Sequence, residues 1–345
     1  MKTNTNSKGF SLVEMMIAVA IFSIVAGAAF ELFTRHQALF TKEQDIVALS
    51  LDMRNALGQV QMDMSNAGTG VFPGANVPNW PVGVTVINSN PGGGCYDAAT
   101  QTYQASCFDT MNIVAANQAV PPLHPETVAG GCISTTTGST YSLPPAGLTA
   151  AQTAALFAAN DIILMVKSDG SQMTVVTLTA APTVAAGKVM FQHTTTAIDG
   201  SGSDPLNITN NSNPRLGSGY CSTDWLIKLD AITYAVDVAA DPTNPRLTRT
   251  RGGQTDLVTD QVVGFKIGVS LWNQVTLTSS EAYDFDAANY GFDYPLIRSV
   301  RLQLIGRTRP NNEPSYRYRN PFDQGPYQIQ PVSLVVNPRN LSLKD

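Results

Sequence analysis

Residues 7–33 read SKGFSLVEMMIAVAIFSIVAGAAFELF, an apolar run that begins directly after a Lys-Gly pair and holds one carboxylate, Glu14, near its start. From Met15 to Phe30 no residue is charged, so the stretch meets the roughly 20-residue apolar length that crosses a bilayer as a helix. An acid inside such a segment costs about 2.5–3.5 kcal/mol on insertion scales, so Glu14 calls for a partner. It lies four residues beyond Phe10. Cutting the chain after Gly9 would make Phe10 a new N-terminus, whose free amine is mostly cationic at neutral pH. The carboxylate of one copy could then be met by the amine of another.

The helical pattern continues past the apolar run. Ile46, Leu49, Met53, Leu57, Val60 and Met64 recur at spacings of three and four, with Lys42, Glu43, Asp45, Asp52, Arg54 and Asp63 between them. This is one apolar stripe, which predicts a single helix from about Phe10 to about Asn66, about 85 Å long at about 1.5 Å per residue. Its first half would face lipid or other subunits, and its second half would bury one face against a sheet. Gly27 and Gly58 are weak points in it, each costing up to about 1 kcal/mol relative to Ala. Gly27 could serve bending, or simply be tolerated as glycines are in transmembrane helices. Gly68, Gly70 and Pro73 end the pattern. A signal peptide removed near Ala26–Ala29 fits less well, because the apolar run passes straight into the helical stripe.

Downstream, turn-rich stretches alternate with short strand candidates: 82–87, 111–115, 161–167, 173–178 and 188–192, with a short helix expected over 150–159. The last third is cleaner. Ser299, Arg301 and Gln303 alternate with Val300, Leu302 and Leu304, and Ile232, Tyr234 and Val236 alternate within 226–238. Further strands are expected over 256–272 and 327–336, with a hairpin near Arg251–Gln254. The fold class expected is α+β: a long N-terminal helix, transmembrane in its first half, packed on an antiparallel β-sheet headgroup. The expected divisions are a leader over 1–9, the helix over 10–66, an elaborated loop-rich β region over 67–225 and a C-terminal antiparallel region over 226–345.

With 43% apolar residues the chain can bury a sizeable core, and its 14% charged residues suit an extracellular β-rich surface better than a cytosolic enzyme. Its net charge is −5; without Lys2 and Lys8 the 21 basic residues fall to 19 against 26 acidic, a net charge of −7. A global basic footprint for nucleic acid is therefore absent. The two leader lysines mark the cytoplasmic side of the membrane segment. Cys95, Cys107, Cys132 and Cys221 all lie beyond that segment, at spacings of 12, 25 and 89 that contain no CxxC pair. Disulfides are expected rather than a zinc site. Of the three connectivities, Cys95 with Cys107 and Cys132 with Cys221 has the shortest first loop and is the preferred one, although spacing leaves all three open.

Catalytic constellations are sparse. His36, His124 and His193 stand in separate segments, without HExxH, GxSxG or P-loop patterns, so surface or capping roles are the expectation and no enzyme activity or cofactor is foreseen. The stretch Tyr283–Asp293 offers carboxylates and amide oxygens of the kind Ca²⁺ takes, yet it lacks the EF-hand spacing, and a solvated loop with aromatic anchors is the favoured reading. Arg307, Arg309, Arg317 and Arg319, interleaved with Tyr316, Tyr318 and Tyr327, form a local basic-aromatic patch that could touch DNA; in an acidic chain a polar rim or subunit contact is favoured.

Lys8, Gly9, Phe10, Ser11, Leu12, Val13 and Glu14 together resemble the type IV pilin signature: a basic leader, Gly, Phe, and Glu as fifth residue of the processed chain. Asp63 to Gly68 at the helix end is similar to the acid-x-x-x-Ala-Gly ending of PilW-type minor pilins. So is the downstream order Ile232-Thr233-Tyr234, Leu247-Thr248-Arg249, 262–267, 297–304 and Arg339-Asn340. The resemblance implies cleavage between Gly9 and Phe10 by a prepilin peptidase, methylation of the new amine, and assembly through Glu14. Implied partners are other pilins and minor pilins, an inner-membrane assembly platform and a tip adhesin. It also implies an inner-membrane precursor with a periplasmic headgroup, which later joins a pilus on the cell surface, initiating or tipping it. Alternatives are a J-type pseudopilin of type II secretion and a membrane-anchored adhesin or DNA-binding surface protein.

Overall fold

The computed structural model describes residues 11–69, 83–89, 94–97, 99–133, 138–168, 173–193, 219–273, 275–283, 297–311, 316–338 and 340. The chain divides into two compact units, Met1–Leu51 and Asp52–Asp345. Helix α1, Leu12–Ser65, begins in the first and ends in the second. In the first unit every described side chain from Ser11 to Asp45 is exposed. Over Met15–Phe30, where no residue is charged and none of the described residues covers it, the helix has the character of a membrane span. Nothing stands within 4 Å of where a Cβ on Gly27 would sit, and α1 runs through it without a break.

In the second unit the last turns of α1 bury Met53, Ala56, Leu57, Val60 and Met64, while Asp52, Arg54 and Met62 stay exposed. Each buried aliphatic side chain contributes roughly 1.5–3 kcal/mol. The sheet beneath explains the burial. Among the described residues it has seven strands: β1 (Val84–Ile87), β4 (Thr110–Ala116), β6 (Ile162–Val166), β7 (Met173–Thr177), β10 (Trp225–Asp237), β11 (Arg246–Arg251) and β12 (Gln254–Thr259). Antiparallel partners share a face, so the register puts Val84, Val86, Met111, Ile113, Ile232, Tyr234 and Leu247 on one side, and all are buried. The chain leaves α1 at Gly68, whose φ of +72° only glycine adopts readily and whose amide donates to the Val114 carbonyl at 2.8 Å. Gly70 and Pro73 lie outside the described residues.

A second sheet holds β13 (Val262–Asn273), β14 (Thr278–Ala282), β15 (Ile297–Arg307) and β16 (Ile329–Val336), in the order β14-β13-β15-β16. A buried acid couples it to the first. Asp109 accepts from the amides of Ser89 and Ile267 at 2.9 and 2.8 Å and from Lys266 Nζ at 2.7 Å. Two small sheets complete the unit: β2 (Tyr96–Asp97) with β3 (Thr102–Tyr103), and β5 (Ser139–Ser142), β8 (Thr183–Ala185) and β9 (Lys188–Gln192). Helix α2, Ala150–Ala154, is closed by a capping box between Thr149 and Gln152. It is shorter than expected because the chain turns after it to send Phe157 into the core, edge-on to Phe191 at 4.9 Å. The β11–β12 hairpin turns on Gly252 and Gly253, with φ of +56° and +79°, as a two-residue turn needing positive φ at both positions requires.

The α+β layout is the expected one, but the division at 225/226 separates no folding units. β10 from the C-terminal region pairs with β4 and β6 from the elaborated region, so both regions share one sheet.

Candidate processing and assembly site

Gly9 and Phe10 lie outside the described residues. Immediately after them, Ser11 and Glu14 close the start of α1 reciprocally. The Ser11 amide donates to Glu14 Oε2 at 2.9 Å, and the Glu14 amide donates to Ser11 Oγ at 3.1 Å. This is a capping box, which satisfies two of the orphan amides at a helix start and sets a carboxylate where the helix dipole favours negative charge. Ser-x-x-Glu is the sequence signature of this cap, so Glu14 serves the helix start as well as any outside partner. Among the described residues no cation lies in ion-pair reach of Glu14.

The other end of α1 gathers three residues that the sequence placed only in a family-like order. Arg249 of β11 grips Asp63 with two donors, Nε at 2.6 Å and Nη2 at 3.1 Å, and the Tyr234 hydroxyl of β10 donates to the same carboxylate at 2.5 Å. Burial, then the Asp63 hydrogen bond, raise the Tyr234 phenol above its ordinary value; the bond to Asp63 also raises Arg249. The Asn340 side chain donates to the Ala67 carbonyl at 3.5 Å. A polar cleft of about 270 Å³ opens beside this knot, bordered by Asp63, Asn66, Asn117, Asp230 and Arg251. The knot ties the last turn of α1 to β10 and β11.

Cys132 and Cys221 are joined by a disulfide. The other expected cystine is not formed: Cys95 and Cys107 are free thiols in hydrogen-bond contact, with the buried Cys107 keeping its proton. Beside the cystine, burial alone would raise the Asp224 carboxyl. The amides of Cys221 and Ser168, at 2.7 and 2.9 Å, and the Lys167 ammonium at 3.3 Å outweigh it and hold the group below its ordinary value.

The basic-aromatic patch does not exist as one surface. Arg307 and Tyr327 are each 1% exposed. Arg307 stacks between Tyr327 and Tyr103, 4.7 and 5.3 Å from the ring centres, and donates to Gln261 Oε1 at 2.8 Å and to the Thr243 carbonyl. Asp323 accepts from both Tyr103 and Tyr327 hydroxyls. Arg307 shares the face of β15 that carries the exposed Arg301 and Gln303, and it is buried because Tyr103, Tyr327, Gln261 and Thr243 close over the end of the strand; a guanidinium that stacks on rings is one of few charged groups that suit such a place. Arg309, Arg317 and Arg319 remain exposed, and Arg319 is bonded to the carbonyls of Tyr316 and Tyr318.

The histidines stay apart. His36 is exposed on α1, His124 bonds the Asp224 carbonyl at 2.9 Å and stacks on Trp225, and His193 bonds Thr140 at 2.8 Å. Among the described residues no three His, Cys, Asp or Glu side chains converge as a metal site. Residues 284–296, which hold most of the candidate calcium loop, lie outside the described residues.

Residues 4–30 match the prokaryotic N-terminal methylation motif. That family is one of structural proteins, and the match supports a type IV pilin-like or pseudopilin substrate of the prepilin processing machinery. With the exposed apolar helix it fits a membrane-anchored precursor. No curated protein and no solved structure matches the chain.

Proposed function

We propose that the chain is a minor pilin of a type IV pilus, most similar to the PilW type, with an assembly role and no enzymatic one. The peptidase cuts between Gly9 and Phe10 and the new amine is methylated. Glu14 then meets the amine of a neighbouring pilin with the carboxylate oxygen its cap leaves open, as the apolar helix moves from lipid into the filament. The precursor is held in the inner membrane with its second unit in the periplasm, and the assembled protein lies on the cell surface.

The observation that carries this reading is the lone acid at the start of an uncovered apolar helix within the matched motif. The size of the second unit, which runs from Asp52 to Asp345, favours the tip or initiation of the filament, because a bulky headgroup packs poorly into every turn of a fibre. Partners are other pilins and minor pilins, the inner-membrane assembly platform and a tip adhesin.

Deleting the gene and restoring it tests the reading. Few or no pili in the deletion strain, recovery on restoration, and trace amounts of the protein in sheared pili are the expected results. Normal pili with secretion lost would point to a type II pseudopilin, and normal pili with ligand binding alone lost would point to an anchored surface adhesin. Even distribution at major-subunit abundance would contradict the tip assignment.

A further inference from the structure

Cys95 stands directly before β2 and Cys107 closes a single 3-10 turn, Ala105–Cys107, after β3. The pairing of Tyr96 with Tyr103 is continued by the Gln104 amide donating to the Cys95 carbonyl at 3.4 Å, and the Cys107 amide donates back to the Gln104 carbonyl at 3.1 Å. This turn folds Cys107 back onto Cys95, thiol to thiol. The two sulfurs differ in access: Cys107 is 6% exposed, whereas Cys95 is half-buried. Two-residue strands have little stability of their own. The hairpin is held from one side by Tyr103, whose amide donates to the Pro242 carbonyl and whose hydroxyl meets Asp323 and Tyr327, and from the other by Asp109.

We propose that Cys95 and Cys107 form a thiol–disulfide exchange pair in which Cys95 attacks an external disulfide and Cys107 resolves the adduct, closing the open end of the β2–β3 hairpin with a cystine. In the first step the Cys95 sulfur, its proton lost to solvent, bonds to one sulfur of the oxidant's disulfide. That bond breaks and its electron pair leaves with the other sulfur as a thiolate. In the second step the Cys107 sulfur, deprotonated in turn, attacks Cys95 Sγ and expels the oxidant's remaining sulfur. Two protein thiols are oxidised to one cystine and one disulfide is reduced to two thiols. Access sets the order, and burial together with the Cys95 hydrogen bond pushes the Cys107 thiol up to about 12, so it keeps its proton until the adduct forms. The oxidant is a protein or small-molecule disulfide of an oxidising compartment, which rests on the proposed export of this unit.

The chemistry can be tested without export or processing, on the full chain in detergent with Cys132–Cys221 retained, using the aromatic disulfide 5,5′-dithiobis(2-nitrobenzoate). The wild type should release two aryl thiolates per chain and finish with no adduct and a Cys95–Cys107 cystine by peptide mapping. Cys107→Ser should release one and keep the adduct on Cys95, and Cys95→Ser should react at least about tenfold more slowly, as a buried thiol does. Two stable adducts on the wild type, or Cys95→Ser reacting as fast as Cys107→Ser, would overturn the proposal. Peptide mapping of Cys132–Cys221 in each variant reports whether the fold survived, and a variant that loses it is replaced by the corresponding Ala substitution. Exchange in a chain that cells never cut at Gly9 would keep this inference and sink the pilin reading.

Discussion

Ser11 and Glu14 hold each other across the first turn of α1, each accepting the other's backbone amide. Glu14 therefore has a local use before any second chain arrives, which explains how the acid is carried in an apolar segment by the isolated protein. One carboxylate oxygen is engaged in this cap, and the other is left for an amine.

Separating cap from charge follows from that geometry. Glu14→Gln keeps an acceptor at the cap position and removes the charge; Ser11→Ala removes half of the cap, worth about 1 kcal/mol, and keeps the charge. Both variants should be cut after Gly9. Recovery in sheared filaments should fall at least about tenfold for Glu14→Gln, since a charge pair lost in an apolar setting is worth several kcal/mol, and only modestly for Ser11→Ala. Equal recovery of Glu14→Gln and wild type removes the role assigned to the charge.

The knot at the far end of α1 should show itself in stability. Asp63→Asn leaves Arg249, 12% exposed in its side chain, without its counter-charge, and should cost about 3 kcal/mol. Tyr234→Phe removes one hydrogen bond to the same carboxylate and should cost about 1 kcal/mol. Thermal unfolding of the full chain in detergent, followed by near-ultraviolet circular dichroism, gives both. Equal midpoints for Asp63→Asn and wild type would show that helix packing alone sets the docking.

Burial and acidic neighbours raise the phenols of Tyr103, Tyr234 and Tyr327 in the folded state. Their contribution is complete below the unfolded phenol value of about 10 and declines as pH rises above it, because the unfolded chain ionises first. Asp224 works in the opposite sense. Its depressed carboxyl contributes stability above the unfolded value of about 3.9, lost as pH falls through the folded value. Denaturant midpoints against pH should drop above about pH 10 in wild type, less steeply in Tyr234→Phe. An unchanged alkaline slope in that variant would mean that the Tyr234 phenol ionises alike in the folded and unfolded chain.

Gly325 lies against the ring of Tyr327, and a Cβ there would meet ring carbons and the hydroxyl. Tyr327 cannot yield, being packed against Arg307 and bonded to Asp323. Gly325→Ala should therefore cost about 1–3 kcal/mol, the usual cost of overpacking, read as a lower midpoint in the same melt. A midpoint equal to wild type would mean that the tyrosine cluster is looser than its geometry indicates.

Periodic segments were legible and aperiodic ones were not. The stripe from Met53 to Met64 predicted which face of α1 is buried, and the alternation of Ile232, Tyr234 and Val236 predicted the face of β10 that meets it. β14 escaped because Thr278, Ser279, Ser280 and Glu281 are all exposed and carry no apolar alternation. Sequence distance hid the long-range pairs: Asp63 with Arg249, Asp109 with Ile267, and Tyr103 with Asp323 each join separate elements through tertiary packing, which local pattern does not encode. The burial of Arg307 was hidden because alternation along β15 puts it on the face of the exposed Arg301 and Gln303, and only the distant Tyr103 and Thr243, with Tyr327, cover it. At the N-terminus the acid and the motif are visible in sequence, and Ser11, three residues before Glu14, carries the signature of the cap.

Intact-mass analysis of the protein recovered from filaments decides whether Glu14 can meet a neighbour's amine at all. The expected species begins at Phe10 and carries one added methyl group. A filament-associated chain that still carries Met1 to Gly9, in cells whose other pre-pilins mature normally, would contradict the account.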